Sequence, residues 1–400
     1  NAVTSADRGE DFITVSWDAN KEVTHLTISD GKEEEGQEPR SITLSDEDKA
    51  AGRYTITGLT PSTSYTIAIY YNEAKRGTIT ASTAAAMPAG DEKVELDPSI
   101  TTINNSVIAD IVKAAQEKTG KTEVAITIGL QPGTTYNMVS TATDGSDANV
   151  KIPEGASVTG ASAPVLNWKK CLDITGSHSY IRFQNVSMKD DGAQYLINQS
   201  ESSTIGELSF TDCTFNDFER SIFRTQGSGT ISVEKLLIDN CVMTNMSTGA
   251  GYPVFYIGTT TTQVGQLELK KSTFDTTDHN FIQLKTAITG GVTISDCTFY
   301  NNVASGKYFL DSNKLKTDIK FIRTILGKSM DAGSKGIRTT GAITISESVR
   351  TKDCVYGSND IKEFTAGSLT SEDIFTAPDN HDFTLKVDDR IGDPRWYKAE

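Results

Sequence analysis

Histidine is the scarcest of the chemistry-bearing residues in this chain of 400, which has only His25, His178, His279 and His381. None lies near a G-x-S-x-G turn or a cysteine-nucleophile pattern, so acyl transfer has no support. Cysteine is almost as sparse: Cys171, Cys213, Cys241, Cys297 and Cys354 form no C-x-x-C pair. That argues against a zinc site and against a thioredoxin-like motif. No apolar run is long enough to span a bilayer. Basic residues are outnumbered, 38 Lys and Arg against 53 Asp and Glu, for a net charge of −15. Such a surface repels phosphate backbones and anionic membranes, so nucleic acid is not an expected partner. The chain opens on Asn1 rather than Met. The expectation is a processed, secreted or cell-surface protein that meets a membrane only through a lipid anchor outside this sequence.

What is plentiful is turn chemistry. Thirty-two glycines and abundant Ser, Thr, Asn and Asp indicate a β-rich chain, and 36% hydrophobic content is enough for folded cores. The length exceeds one ordinary core, so several domains or an elongated repeat array are expected.

In "DFITVSWDA", Ile13, Val15 and Trp17 alternate with Thr14 and Ser16, the period-2 pattern of a half-buried strand. "YTITGLTPSTSYTIAIYYNEAKRGTITAST" adds two more strands separated by Gly and Pro turns. With Trp17 on an early strand, Leu59 and Pro61 ahead of Tyr65, and the closing "TITAST", residues 1–84 resemble a fibronectin type III domain. The resemblance implies an antiparallel β-sandwich in which Tyr65 is a buried ring whose hydroxyl bonds the backbone. Residues 85–99, with small residues, prolines and charges, read as a linker. In "SVIADIVKAAQEKTG", Val107, Ile108, Ile111, Val112 and Ala115 share one helical face and Gly120 stops the helix. Such a helix suits a cap over the first turn of a repeat array.

The array itself is written in an eight-residue phrase: apolar, any, apolar, any, Asn/Asp, small, any, large apolar. It occurs as "IRFQNVSM" from Ile181, "LSFTDCTF" from Leu208, "LLIDNCVM" from Leu236 and "LELKKSTF" from Leu267. It returns as "VTISDCTF" from Val292, "IKFIRTIL" from Ile319 and "VRTKDCVY" from Val349, at a mean spacing of 28 residues. A fixed period of this size marks stacked repeats. A second strand follows each time: "YLIN" (195–198), "IFRT" (222–225), "VFYI" (254–257), "FIQL" (281–284) and "YFLD" (308–311). Short strands at this period predict a parallel β-helix with coils about 4.8 Å apart. Asn185, Asp212, Asn240, Asp296 and Asp353 take the turn position, where short side chains tolerate left-handed dihedrals and can form a ladder between coils. Lys271 and Arg323 should interrupt it. Cys213, Cys241, Cys297 and Cys354 share the small position with Val186, Ser272 and Thr324, as core filler. A disulfide between Cys213 and Cys241 is the alternative, disfavoured by parallel side-chain vectors.

"VAITIGLQPGTTYNM" and "VKIPEGASVTGASAPVLN" resemble the opening coils of right-handed β-helices of the pectate-lyase superfamily. The tail "FTLKVDDRIGDPRW" resembles the ending of β-helix domains on secreted or lipid-anchored proteins of gut Bacteroidetes, which often carry a fibronectin type III module ahead of the helix. Together these imply an all-β chain, a sandwich followed by a right-handed parallel β-helix over residues 100–400, with a cell-surface role in polysaccharide use. Arg395 and Trp396 are expected to cover the last coil, as caps do in other arrays.

The catalytic motifs of that superfamily are not found. "DD" stands at Asp190–Asp191 and Asp388–Asp389, but G-H-G, R-I-K and R-x-P-x-x-R are absent. If the second residue of the second strand points inward, the third points out, and Arg224, Tyr256 and Gln283 stack on successive coils. The preceding loops add Glu219, Arg220, Tyr252, Asp278 and His279. Exposed tyrosine beside Arg, Gln and carboxylate suits a sugar, although an ordinary solvated face would hold similar residues. The glycine-rich loop "GKSMDAGSKG" (327–336) is a second candidate. The leading expectation is a carbohydrate-binding protein of a glycan-utilisation system, with no metal site or cofactor. The alternatives are a polysaccharide lyase, for which Ca²⁺ would be the cofactor, and an adhesin-like spacer that contacts other surface proteins.

Overall fold

The computed structural model describes residues 3–19, 22–30, 38–86, 89–139, 150–160, 163–249, 251–365, 367–387 and 390–397. The chain divides into two compact units, the first made chiefly of residues 1–88 and the second of 89–159 and 163–398. Among the described residues no helix is long and apolar enough to cross a membrane.

The first unit contains β1 (Thr4–Arg8), β2 (Phe12–Ser16), β3 (His25–Ser29), β4 (Arg40–Thr43), β5 (Arg53–Thr57), β6 (Ser64–Tyr71) and β7 (Ala74–Ser82), with the short helix α1 (Asp46–Ala51) before β5. They form two antiparallel sheets, ordered β1-β2-β5 and β4-β3-β6-β7. Their inward residues, among them Ile13, Val15, Trp17, Leu26, Ile56, Tyr65 and Ile67, make one core. The Tyr65 hydroxyl accepts the Thr60 amide at 2.9 Å. The ring is buried and its one polar atom is satisfied, which is how a tyrosine becomes core.

The second unit is a parallel β-helix. Two ten-stranded parallel sheets, I and II, receive one strand from each of ten coils, and a third sheet of six strands, III, runs along coils 4–9. The usual hand of parallel crossovers makes the winding right-handed. Ile181, Leu208, Leu236, Leu267, Val292 and Ile319 share one register in sheet I. The first six occurrences of the phrase are therefore six successive coils. The seventh is misplaced by the sequence reading: Ile319 pairs with Ile343, and Val349 pairs with Ile325 in sheet II. The last coil is short and its corner residue is Glu347, at φ 49°. The Asn/Asp signal is missing there, and Asp353 supplies a decoy six residues later. Ser348, not Cys354, fills the small position. Asp353 instead accepts the Ser371 amide at 3.0 Å, at the start of a one-turn helix.

At each corner between sheets I and II the turn residue is left-handed, with φ between 42° and 56° from Asn185 to Arg323. Asn240 donates its amide to the Asp212 carboxylate, as a ladder requires. At Arg323 the ladder is not interrupted. It becomes an ion pair, with Nε and Nη2 donating to Asp296 at 2.6 and 2.8 Å. At Lys271 it does break, and Arg395 from the tail donates to Asn240 Oδ1 at 2.9 Å there. Lysine has no local hydrogen bond to support a left-handed backbone, whereas asparagine does. Lys271→Asn is therefore expected to stabilise the protein by up to about 1 kcal/mol, read as a raised Tm; an unchanged or lower Tm would show that the corner is not strained. None of the five cysteines forms a disulfide, and Cys213 and Cys241 donate to the Thr211 and Asp239 carbonyls, both at 3.3 Å. They are filler, not a bridge.

Both ends are closed. Helix α2 (Asn105–Thr119) starts at an Asn104 cap and stops at Gly120, and Val107, Ile108 and Ile111 meet Leu96, Ile103, Ile128 and Met138 of the first coils. The segment read as a linker gives up its centre to the helix: Glu92–Glu95 pairs with Ile126–Gly129 and opens coil 1. Charged outward residues on that strand hide the inward Val94 and Leu96 from composition. The far end is closed by Ile361 and Phe364, the latter edge-on to Phe321 at 5.1 Å.

Arg395 and Trp396 do not cover the last coil. Residues 371–387 and 390–397 fold back along the outer side of sheet II. The Gly392 amide donates to the Arg323 carbonyl at 2.8 Å and the Asp393 amide to Thr298 Oγ1 at 3.0 Å. Thr273 Oγ1 donates to Asp393 Oδ2 at 2.7 Å, so three tail residues, Gly392, Asp393 and Arg395, step across coils 9, 8, 7 and 6. Under this strap lies a separate core of Tyr300, Ile325, Ile374, Phe375, Phe383 and Leu385. Its cause is the outward face of sheet II, where Tyr300, Ile325 and Val349 would otherwise form an apolar patch in water.

Candidate functional site

The strands of sheet III are mostly three residues long, and their central residues point out while their neighbours fill the core. Asn198, Arg224, Tyr256 and Gln283 are consecutive partners in this outward column, which continues through Asp311 to Arg338. Arg224, Tyr256 and Gln283 are thus stacked as the alternation implies. The segments "YLIN" and "YFLD" are one residue out of phase with the others, so Asn198 and Asp311, their last residues, occupy the column.

Beside the column, the loops entering sheet III assemble a compact cluster of two arginines and two tyrosines. The Arg220 guanidinium lies 5.3 Å from the Tyr195 ring and 5.0 Å from the Tyr252 ring. Arg224 lies 5.3 and 4.9 Å from the same rings. The rings meet edge to face at 5.5 Å. Tyr195 was not legible as a site residue: it is the first letter of a strand taken for core, and it is buried while touching both arginines. Its hydroxyl accepts from Arg220 Nη1 at 2.9 Å, and Arg224 Nη1 donates to Asn198 Oδ1 at 3.0 Å and Gln226 Oε1 at 2.6 Å.

The charges here differ from those elsewhere on the helix. Arg182, Arg323, Arg338, Arg350 and Arg395 are each paired with a carboxylate at 2.6–2.8 Å. Arg220 and Arg224 form no ion pair among the described residues. The adjacent Glu219 carboxylate accepts from Gln194 Nε2 at 3.1 Å instead. The Nε atoms of both arginines are buried without a hydrogen bond. Burial pushes the Tyr195 hydroxyl up, so it stays neutral. For Arg220 burial acts downward, and the Tyr195 hydrogen bond with the nearby tyrosines and Glu219 outweighs it, so the guanidinium is held above its ordinary value.

The remaining expected residues separate. His279 is buried, its Nδ1 has no partner, and burial with the Lys307 charge lowers its pKa to about 4. It is a neutral imidazole at pH 7. Asp278 is exposed on the preceding loop, where its amide donates to the Met246 carbonyl at 3.0 Å. Farther along, Tyr308 carries Lys335 at 4.9 Å and Arg338 at 4.7 Å over its ring, the latter bound through two bonds to Asp311. The loop 327–336 is built into coil 9, with Asp331 holding the Gly333 amide at 2.7 Å and Ser334 donating to the Val303 carbonyl at 2.5 Å. Asp190 accepts the Gly192, Gln194 and Glu219 amides, and Asp191 pairs with Lys169 at 2.6 Å. That pair braces a turn; Asp388–Asp389 lies outside the described residues. Among the described residues no three His, Cys, Asp or Glu side chains converge closely enough to hold a metal ion.

The profile of a domain of unknown function, DUF5123, matches residues 292–396, which takes in coils 8–10 and the strap. No curated protein sequence matches the chain. Among solved structures, a family 28 exopolygalacturonase from Yersinia enterocolitica is similar at 9% identity over 92% of this chain and 97% of that one, with a TM-score of 0.28. A superposition that loose carries no weight for the site.

Proposed function

We propose that the protein binds a polysaccharide along the outer face of sheet III and acts from a secreted or cell-surface position, with the N-terminal sandwich as a fibronectin type III-like module. The observation that carries the reading is the run of half-buried Tyr252, Tyr256, Arg224 and Gln283 on adjacent coils. Tyrosine offers a flat apolar surface to a sugar ring, and guanidinium and amide groups offer planar hydrogen bonds to its hydroxyls. The backbone beneath is a fully paired sheet, so these groups are held in place before a ligand arrives, which lowers the entropic cost of binding.

A glycan array followed by calorimetry on the full chain tests this. Tyr252→Ala and Tyr256→Ala are each expected to weaken binding about tenfold, corresponding to roughly 1.4 kcal/mol. Wild-type affinity in both variants would overturn the placement of the site, and binding to no glycan would overturn the function. Release of unsaturated sugar products from a bound polymer would turn the reading from binding to a lyase.

A further inference from the structure

We propose that Arg220 and Arg224 form a subsite for an oxyanion carried by the glycan, a carboxylate, sulfate ester or phosphate ester; this rests on the polysaccharide reading above. The chain as a whole is acidic, with a net charge of −15. Its other β-helix guanidiniums described above are neutralised at short range, and here two stand side by side over the same pair of rings with no ion pair among the described residues, the nearby Glu219 carboxylate being held by Gln194. Two like charges so close repel each other, and the negative faces of two tyrosines offset only part of that.

Each guanidinium has five N–H donors. Arg220 has one engaged and Arg224 two, all from Nη1, so the Nη2 edges and both Nε groups have no hydrogen-bond partner among the described residues. Donor forks of this shape match a planar or tetrahedral oxyanion through paired bonds. The tyrosines fix the forks in place, and the neighbours Asn198 and Gln226 are neutral amides that would not compete for the charge. A structural role alone would be better served by one arginine with a carboxylate, as at Arg338 and Asp311.

Two measurements on the full chain test this. The first titrates inorganic sulfate into protein with ¹⁵N-labelled arginine and follows the Nε–H resonances, assigned through Arg220→Lys and Arg224→Lys. Both resonances are expected to shift together and to saturate. The second compares a uronic-acid polymer, a sulfated polymer and the carboxyl-reduced form of the first. At least one charged polymer is expected to bind ten times tighter than the reduced one, and Arg220→Gln to remove that advantage while the reduced polymer binds as before. Sulfate shifts without any polymer binding would keep the oxyanion subsite and remove the polysaccharide reading. Equal binding of charged and reduced polymers, with no sulfate shift, would remove the subsite and keep the polysaccharide reading. Arg220→Gln weakening all polymers alike would make the pair structural and overturn the proposal.

Discussion

Phe281→Ala is expected to lower the stability of the β-helix by about 3–5 kcal/mol. Phe281 is fully buried at the start of a sheet III strand and touches four other rings. Phe255, Phe274, Phe299 and Phe309 lie 5.5, 5.0, 5.2 and 5.4 Å away, three of them edge to face. Truncation removes the transfer energy of the ring, leaves a cavity, and breaks ring pairs worth about 0.5–1.5 kcal/mol each beyond burial. The coils above and below are hydrogen-bonded through the same strand and cannot collapse into the gap. Chemical denaturation of the full chain checks this. A loss under about 1 kcal/mol would mean that the interior of coils 6–8 repacks freely.

Asp393→Ala is expected to release the strap at a cost of about 3 kcal/mol, most of it local. The Asp393 side chain is fully buried and accepts from Thr273 Oγ1 and from Arg395 Nε, both at 2.7 Å. Alanine would strand Arg395 and the hydroxyl together. Hydrogen exchange should speed up over residues 371–397 and over the sheet II strands of coils 7–9, while coils 4 and 5 keep their protection. Uniform protection in the variant would show that the apolar patch alone holds the strap. Acid adds a signed test. Burial, opposed by Arg395, raises the Asp393 carboxyl above its ordinary value of 3.8. A raised carboxyl stabilises docking fully below the undocked value and loses that contribution as pH rises through the docked one. Strap protection should therefore increase on acidification from neutral pH, and Asp393→Asn should flatten that part of the response. Asp275, also raised by burial and paired with His381 under the strap, adds a response of the same sign that remains in Asp393→Asn.

The sequence made the coils legible because their signals are local. An inward alternation, a left-handed corner and a small filler recur within eight residues, and a one-residue slip would turn every core residue outward. For the same reason Arg224, Tyr256 and Gln283 could be stacked correctly from a strand phase. Tyr195 could not, because its partners Arg220, Arg224 and Tyr252 are one and two coils away and "YLIN" has a different phase. The strap was equally hidden. Asp393 meets residues 95 and 120 positions earlier, and nothing in "GDPRW" says which side of a helix it will lie against. The corner of coil 10, where the seventh phrase belongs, was lost for an opposite reason: Glu347 makes the corner without the usual side chain, and "KDC" imitates one.

Solenoid coils ordinarily speak only to their neighbours, so such arrays behave like one-dimensional zippers that fray from an exposed end. The strap changes the dimensionality of that problem. By touching coils 6, 7, 8 and 9 at once, it makes the opening of any one of them a cost shared by all four. Fraying that begins beyond coil 9 then meets a cooperative block rather than another single tooth, and the sheet III strands of coils 6 and 7, which carry Tyr256 and Gln283, lie inside that block with the loop that brings in Tyr252.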